Sequence, residues 1–115
     1  MSQPILVIED DATLSHLIAR QLEKAGYTPT AVNSWSAAQS YLSQHEPALI
    51  LSDVRLPDGD SLEILPELVE TYPVIVLTAF GSVRNAVDAM KQGAADYLLK
   101  PVGLDELLLT IERAL

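Results

Sequence analysis

Apolar residues along the chain fall into short dense runs separated by stretches of helical spacing. Ile5-Leu6-Val7-Ile8, Ala48-Leu49-Ile50-Leu51-Ser52 and Val74-Ile75-Val76-Leu77-Thr78 are continuous runs of the kind buried on both faces of a sheet. Asp96 to Lys100 reads as a last strand, broken by Pro101, and Thr28 to Val32 as a weaker one. Between them, Leu14, Leu17, Ile18 and Leu22 recur at helical spacing, and Ala25-Gly26 ends that helix. Ser34 is placed to cap a second helix that turns Ala37, Ala38, Tyr41 and Leu42 inward. Leu62, Leu65, Leu68 and Val69 mark a third helix, with Pro66 expected to kink it or shift its start. Val83, Ala86, Val87 and Met90 mark a fourth, stopped by Gly93, and Leu104, Leu107, Leu108 and Ile111 a fifth. Five strands alternating with five helices imply a parallel sheet with helices on both faces. Ligands bind such sheets beyond the carboxyl ends of the strands.

The chain has 115 residues, enough for one domain with a real hydrophobic core. Hydrophobic residues make up 49% and aromatics only 5%, so that core is aliphatic. The absence of cysteine excludes disulfides and thiolate metal sites and fits a reduced cytoplasmic compartment. Met1-Ser2-Gln3-Pro4 has no basic leader character, and no run approaches the ~18 apolar residues of a membrane span. The net charge of −9 opposes direct binding of nucleic acid or of an anionic membrane.

Most polar residues of chemical interest stand at predicted strand ends. Glu9, Asp10 and Asp11 follow the first strand, Asp53 the third, Thr78 closes the fourth and Lys100 the fifth. In a parallel sheet these ends share one edge. Crowded carboxylates repel one another, and a hard cation such as Mg²⁺, which takes one or two carboxylates with water and phosphate oxygens, relieves that repulsion. Asp53 is then a candidate nucleophile for a phosphoryl group, with Lys100 and Thr78 as donors to its oxygens.

The acidic cluster Glu9-Asp10-Asp11, Ser52-Asp53-Val54-Arg55-Leu56-Pro57, Leu77-Thr78-Ala79 and Gly93-Ala94-Ala95-Asp96-Tyr97-Leu98-Leu99-Lys100-Pro101 together resemble the response-regulator receiver domain of two-component systems. The stretch from Leu77 to Pro101 is similar to the nitrogen-regulation, σ54-activator type. The resemblance implies a flavodoxin-like receiver fold over residues 1–115, with strand order 2-1-3-4-5, as the excised N-terminal module of a longer cytoplasmic regulator.

It further implies a phosphorylation-dependent switch. Asp53 accepts phosphate from a sensor histidine kinase, and Mg²⁺ is held by Asp10 directly, by Glu9 through water, by Asp53 and by the backbone carbonyl of Arg55. Thr78 and Tyr97 are switch residues, Lys100 contacts the phosphoryl group, and Lys100-Pro101 is a cis peptide. The face of the fourth helix, fifth strand and fifth helix then controls homodimerisation and a σ54-activating ATPase with its DNA-binding domain. The chain is expected to be no dedicated enzyme beyond its own phosphorylation and autodephosphorylation. Glu9 departs from the usual aspartate by one methylene, and Ser61 stands where the family usually has glycine.

Three rival readings meet obstacles in the sequence. A phosphohydrolase using an aspartyl-phosphate commonly has a second aspartate two residues after the nucleophile, where this chain has Arg55. An interaction module independent of phosphorylation usually lacks one of the site residues, all of which are present. A nucleotide or flavin binder needs a Gly-rich loop after the first strand, which is absent. His16 and His45 have no partner at ligand spacing.

Overall fold

The computed structural model describes residues 3–78 and 83–115. Its elements are β1 (Pro4–Ile8), α1 (Ala12–Lys24), β2 (Thr28–Val32), α2 (Trp35–Leu42), β3 (Leu49–Asp53), β4 (Arg55–Leu56), β5 (Gly59–Asp60), α3 (Ser61–Leu68), β6 (Val74–Thr78), α4 (Val83–Lys91), β7 (Asp96–Leu99) and α5 (Leu104–Ala114). Expectations for Ala79 and for the side chains of Ser61, Leu62 and Val83 lie outside the described residues.

Five strands form one parallel sheet in the order β2-β1-β3-β6-β7. The expected numbering 2-1-3-4-5 is amended because two short strands intervene after β3. Leu56-Pro57-Asp58-Gly59, read from the sequence as a turn, is the tip of an antiparallel pair in which Arg55 faces Asp60 and Leu56 faces Gly59.

Alternation along the buried strands sends successive side chains to opposite faces. Leu6, Ile8, Ile50, Val74 and Val76 meet Ala38 of α2, Leu65 and Leu68 of α3 and Ala89 of α4. Ile5, Val7, Leu49, Leu51, Ile75 and Leu77 meet Ile18 and Leu22 of α1 and Leu107 and Ile111 of α5. Three helices therefore cover one face and two the other, which is why β1, β3 and β6 are apolar up to their carboxyl ends. The edge strand β2 tolerates Pro29 and polar residues because only one side of it is paired.

The helix ends follow local chemistry. Asp11 caps α1 by accepting from the Thr13 and Leu14 amides at 3.0 and 3.1 Å, and Ser34 caps α2 by accepting from Ala37 at 3.1 Å. Gly26 and Gly93 take φ of +95° and +103° just beyond α1 and α4, a conformation that strains any side chain. Pro66 lies inside α3, where it removes one amide donor, and the helical bonding continues past it through Val69 to the Leu65 carbonyl at 3.0 Å.

Three apolar assignments need correction. Leu17 of α1 is exposed, because Ser15, Ile18 and Leu22 form the inward stripe. Val87 and Met90 of α4 are also exposed. Ala86 and Ala89 point inward instead, and residues one position along a helix lie about 100° around it. Among the described residues no helix is long and apolar enough to cross a membrane.

Candidate phosphoryl and cation site

The carboxyl ends of β1, β3, β6 and β7 bring Glu9, Asp10, Asp53, Thr78 and Lys100 to one edge. The register fixes this placement: Ile8 pairs with Ser52, Asp53 with Leu77, and Thr78 with Leu99. Each site residue is thus the last of its strand or lies within two residues of its end.

Lys100 joins two of the acids. Its Nζ lies 2.6 Å from Glu9 Oε1 and 3.0 Å from Asp53 Oδ2. Glu9 is almost wholly buried, at 1% exposure, and its Oε2 accepts from the Asp11 amide at 3.0 Å. Asp53 is also buried, and its Oδ1 accepts a long 3.4 Å bond from the Arg55 amide. Asp10 is exposed. The Lys100–Pro101 peptide is cis.

Burial pushes the Glu9 carboxyl up to about 7, against the pull of Lys100 and the Asp11 amide, while the Asp53 charge adds to the rise. The Lys100 ammonium is held above its ordinary value: burial opposes the charge, but bonds to Glu9 and Asp53 outweigh it. Two of the three acids therefore share one ammonium, and the cluster carries surplus negative charge.

That surplus and the donor set suit a hard divalent cation. One oxygen from each of Glu9, Asp10 and Asp53 lies within 4.8 Å of the others. Oxygens that close can serve one small cation together with water. All donors are oxygen, which suits Mg²⁺ better than a soft transition metal.

Thr78 is completely buried, and its Oγ1 has no hydrogen-bond partner among the described residues. A buried hydroxyl without a partner is costly. Tyr97 lies outside the core at 39% exposure. Together with Leu99, Glu106, Leu109 and Arg113 it lines a groove of about 530 Å³ between β7 and α5.

Asp58 was not singled out by the sequence. Its Oδ1 accepts from the Trp35 amide and its Oδ2 from the Ser36 amide, both at 2.8 Å, and these bonds hold its carboxyl below the usual range. An aspartate before glycine signals a turn, and nothing local reveals partners more than twenty residues away. Thr110 was missed for a similar reason: its hydroxyl is satisfied inside α5 by the Glu106 carbonyl at 2.8 Å, which lets it be buried.

Comparison with known proteins agrees with this geometry. The family model described as "Response regulator receiver domain" matches residues 5–112. The DNA-binding transcriptional regulator NtrC of Proteus hauseri is 37% identical over 114 residues, 96% of this chain and 24% of that protein. Transcriptional regulatory protein ZraR of Escherichia coli is 38% identical over 114 residues, 96% of this chain and 26% of that protein. The chain thus spans about a quarter of the length of these curated relatives. Among solved structures, the receiver domain of the Francisella response regulator 1452 superimposes with a TM-score of 0.89 at 28% identity, covering 98% of this chain and 96% of that one. With its parallel sheet ending in an acidic, lysine-bridged edge and its match to the family over nearly the whole length, the chain belongs to the response regulator receiver domain family.

Proposed function

We propose that this domain is a phosphorylation-dependent signalling switch in which Asp53 accepts a phosphoryl group from a phosphohistidine on a sensor histidine kinase. The observation that carries the reading is the Lys100 ammonium, held at once by Asp53 and Glu9 at the carboxyl edge of the sheet. Glu9, Asp10, Asp53 and the Arg55 backbone carbonyl are the groups that would hold Mg²⁺, which supplies neutralising charge to an incoming phosphoryl group when bound.

An Asp53 oxygen forms the new bond to phosphorus as the phosphorus–nitrogen bond breaks, and the imidazole leaves with the bonding pair. Hydrolysis of the acyl phosphate restores the carboxylate, so the chemistry serves a switch and not turnover of an external substrate. The phosphoryl group carries roughly −1.5 to −2 charge in place of the single charge of the carboxylate. Lys100 then has a stronger partner than Glu9, and the Thr78 hydroxyl gains the acceptor it lacks.

Movement of Thr78 gives Tyr97 room to turn inward. The readout surface is the face of α4, β7 and α5, where Val87, Met90, Tyr97, Leu99 and Leu109 are exposed. A homodimer through this face fits an apolar patch of that kind. The relatives are about four times longer, which supports a σ54-activating ATPase and a DNA-binding domain as the output in a full-length cytoplasmic regulator. The acidic receiver itself contacts no nucleic acid.

Incubation with Mg²⁺ and acetyl phosphate, followed by intact-mass measurement, tests this directly. One added phosphoryl group is expected, removed by hydroxylamine and absent from Asp53→Ala. An adduct that persists in Asp53→Ala refutes the assignment.

A further inference from the structure

Asp58 lies outside the acidic cluster, yet both its oxygens are engaged across the fold. We infer that Asp58 is a positioning residue: by clamping the tip of the β4–β5 hairpin to the first turn of α2, it fixes Arg55 beside Asp53. The inference rests on the cation and phosphoryl reading of that site.

The hairpin needs such a clamp. Only two residues of each strand pair, Arg55 with Asp60 and Leu56 with Gly59, and a ladder that short has little stability alone. Buried Leu56 anchors it on the core. Two bonds of 2.8 Å from different amides fix orientation as well as position. Their donors belong to α2, which Trp35, Ala38, Tyr41 and Leu42 seat on the core.

The clamp also completes α2. The Ser34 hydroxyl serves the Ala37 amide, and the Ser34 carbonyl accepts the first intrahelical bond, from Ala38 at 3.1 Å. Trp35 and Ser36 are left for Asp58, so no two caps compete for one amide. A carboxylate suits this place because the helix N-terminus favours negative charge.

The consequence falls on Arg55. Its amide donates to Asp53 Oδ1, and its carbonyl is the backbone group assigned to the cation. Both belong to the strand whose turn Asp58 holds. Loss of the clamp loosens the cation site while leaving Asp53, Lys100 and Thr78 in place.

The test uses this domain in three forms: wild type, Asp58→Ala and Ser34→Ala. Ser34→Ala removes a cap of the same helix without touching the hairpin. Mg²⁺ alone is titrated calorimetrically, and initial rates of acyl-phosphate formation from acetyl phosphate are then measured against Mg²⁺ concentration. Asp58→Ala is expected to raise the half-saturating Mg²⁺ concentration about tenfold or more, the usual effect of losing a residue that orients a metal ligand. Its rate at saturating Mg²⁺ should match wild type, and Ser34→Ala should keep the wild-type midpoint.

An unchanged midpoint in Asp58→Ala overturns the inference, as does an equal shift in Ser34→Ala, which would reduce Asp58 to a helix cap. If Asp58→Ala does not fold, Asp58→Asn, which keeps one acceptor oxygen, must give a raised midpoint, and a wild-type value refutes the clamp. Failure of the wild type itself to form an acyl phosphate removes the functional reading and this inference with it, a result distinct from any difference between variants.

Discussion

Replacing Glu9 with glutamine should stabilise the domain at neutral pH when no divalent cation is present. Glu9 is buried, and its carboxyl is pushed from 4.5 to about 7, mainly by loss of water around the charge. A raised carboxyl binds its proton more tightly in the folded chain than in the unfolded one. Stability from this group is therefore highest below about pH 4.5, falls as pH rises toward 7, and has lost its full contribution above that. The shift of about 2.5 units corresponds to roughly 3 kcal/mol at about 1.4 kcal/mol per unit. Glutamine keeps the shape and cannot ionise.

In chelator at pH 8, Glu9→Gln should be more stable than wild type by up to about 3 kcal/mol, or on the order of 10 °C in Tm for a domain of this size. At pH 4.5 the difference should nearly vanish. Urea denaturation of both proteins across this range isolates Glu9, because every other titrating group is common to both. A variant no more stable at pH 8 than at pH 4.5, relative to wild type, would refute burial of the charge as the cause.

Lys100→Met keeps the aliphatic stem and removes the ammonium from Glu9 and Asp53. With the lysine side chain 25% exposed, the loss at pH 8 should be about 1–3 kcal/mol and should shrink at pH 5, where Glu9 is protonated; equal losses at both pH values would contradict the pairing. Leu107→Ala empties a fully buried position between α5 and the sheet, and urea midpoints should report a loss of about 2–5 kcal/mol, with less than about 1 kcal/mol telling against that core. Leu99→Asp, on the exposed face of β7, should change stability by less than about 0.5 kcal/mol while abolishing dimerisation of the phosphorylated domain in sedimentation velocity; an unaffected dimer would move the interface elsewhere.

The central strands were legible because burial on two faces leaves β1, β3 and β6 apolar except at their carboxyl ends. Edge strand β2 was weaker in the sequence for the converse reason, being partly exposed and interrupted by Pro29. The edge of the site was legible too, since a parallel sheet forces strand ends together and residues such as Asp53 and Lys100 are placed by their strands. Three features were not. The sequence carries no distance, so it did not show that Lys100 spans two acids. Val87 and Met90 have the same apolar character as core residues, and only the close approach of Ala86 and Ala89 to the sheet decides which stripe of α4 goes inward. Asp58 acts at long range on amides whose residue types are irrelevant to the bond, and no motif encodes that.

The surplus charge that weakens the empty fold also makes the fold responsive to what binds it. A ligand that binds only the folded state adds RT ln(1 + [L]/Kd), about 2.7 kcal/mol at one hundred times Kd. This is close to the roughly 3 kcal/mol by which the charged Glu9 is disfavoured. Mg²⁺ should therefore recover in wild type much of the stability that Glu9→Gln gains without it, and the variant should respond weakly to Mg²⁺ because one of its three acids is gone. Lys100 sets the balance between these states: it makes the cluster tolerable without a cation, yet its ion-pair partners among the described residues are acids that a cation and a phosphoryl oxygen would draw away. Glu9 and Asp53 each keep a backbone donor, the Asp11 and Arg55 amides, so the lysine can change partners without stripping either acid of its hydrogen bonds.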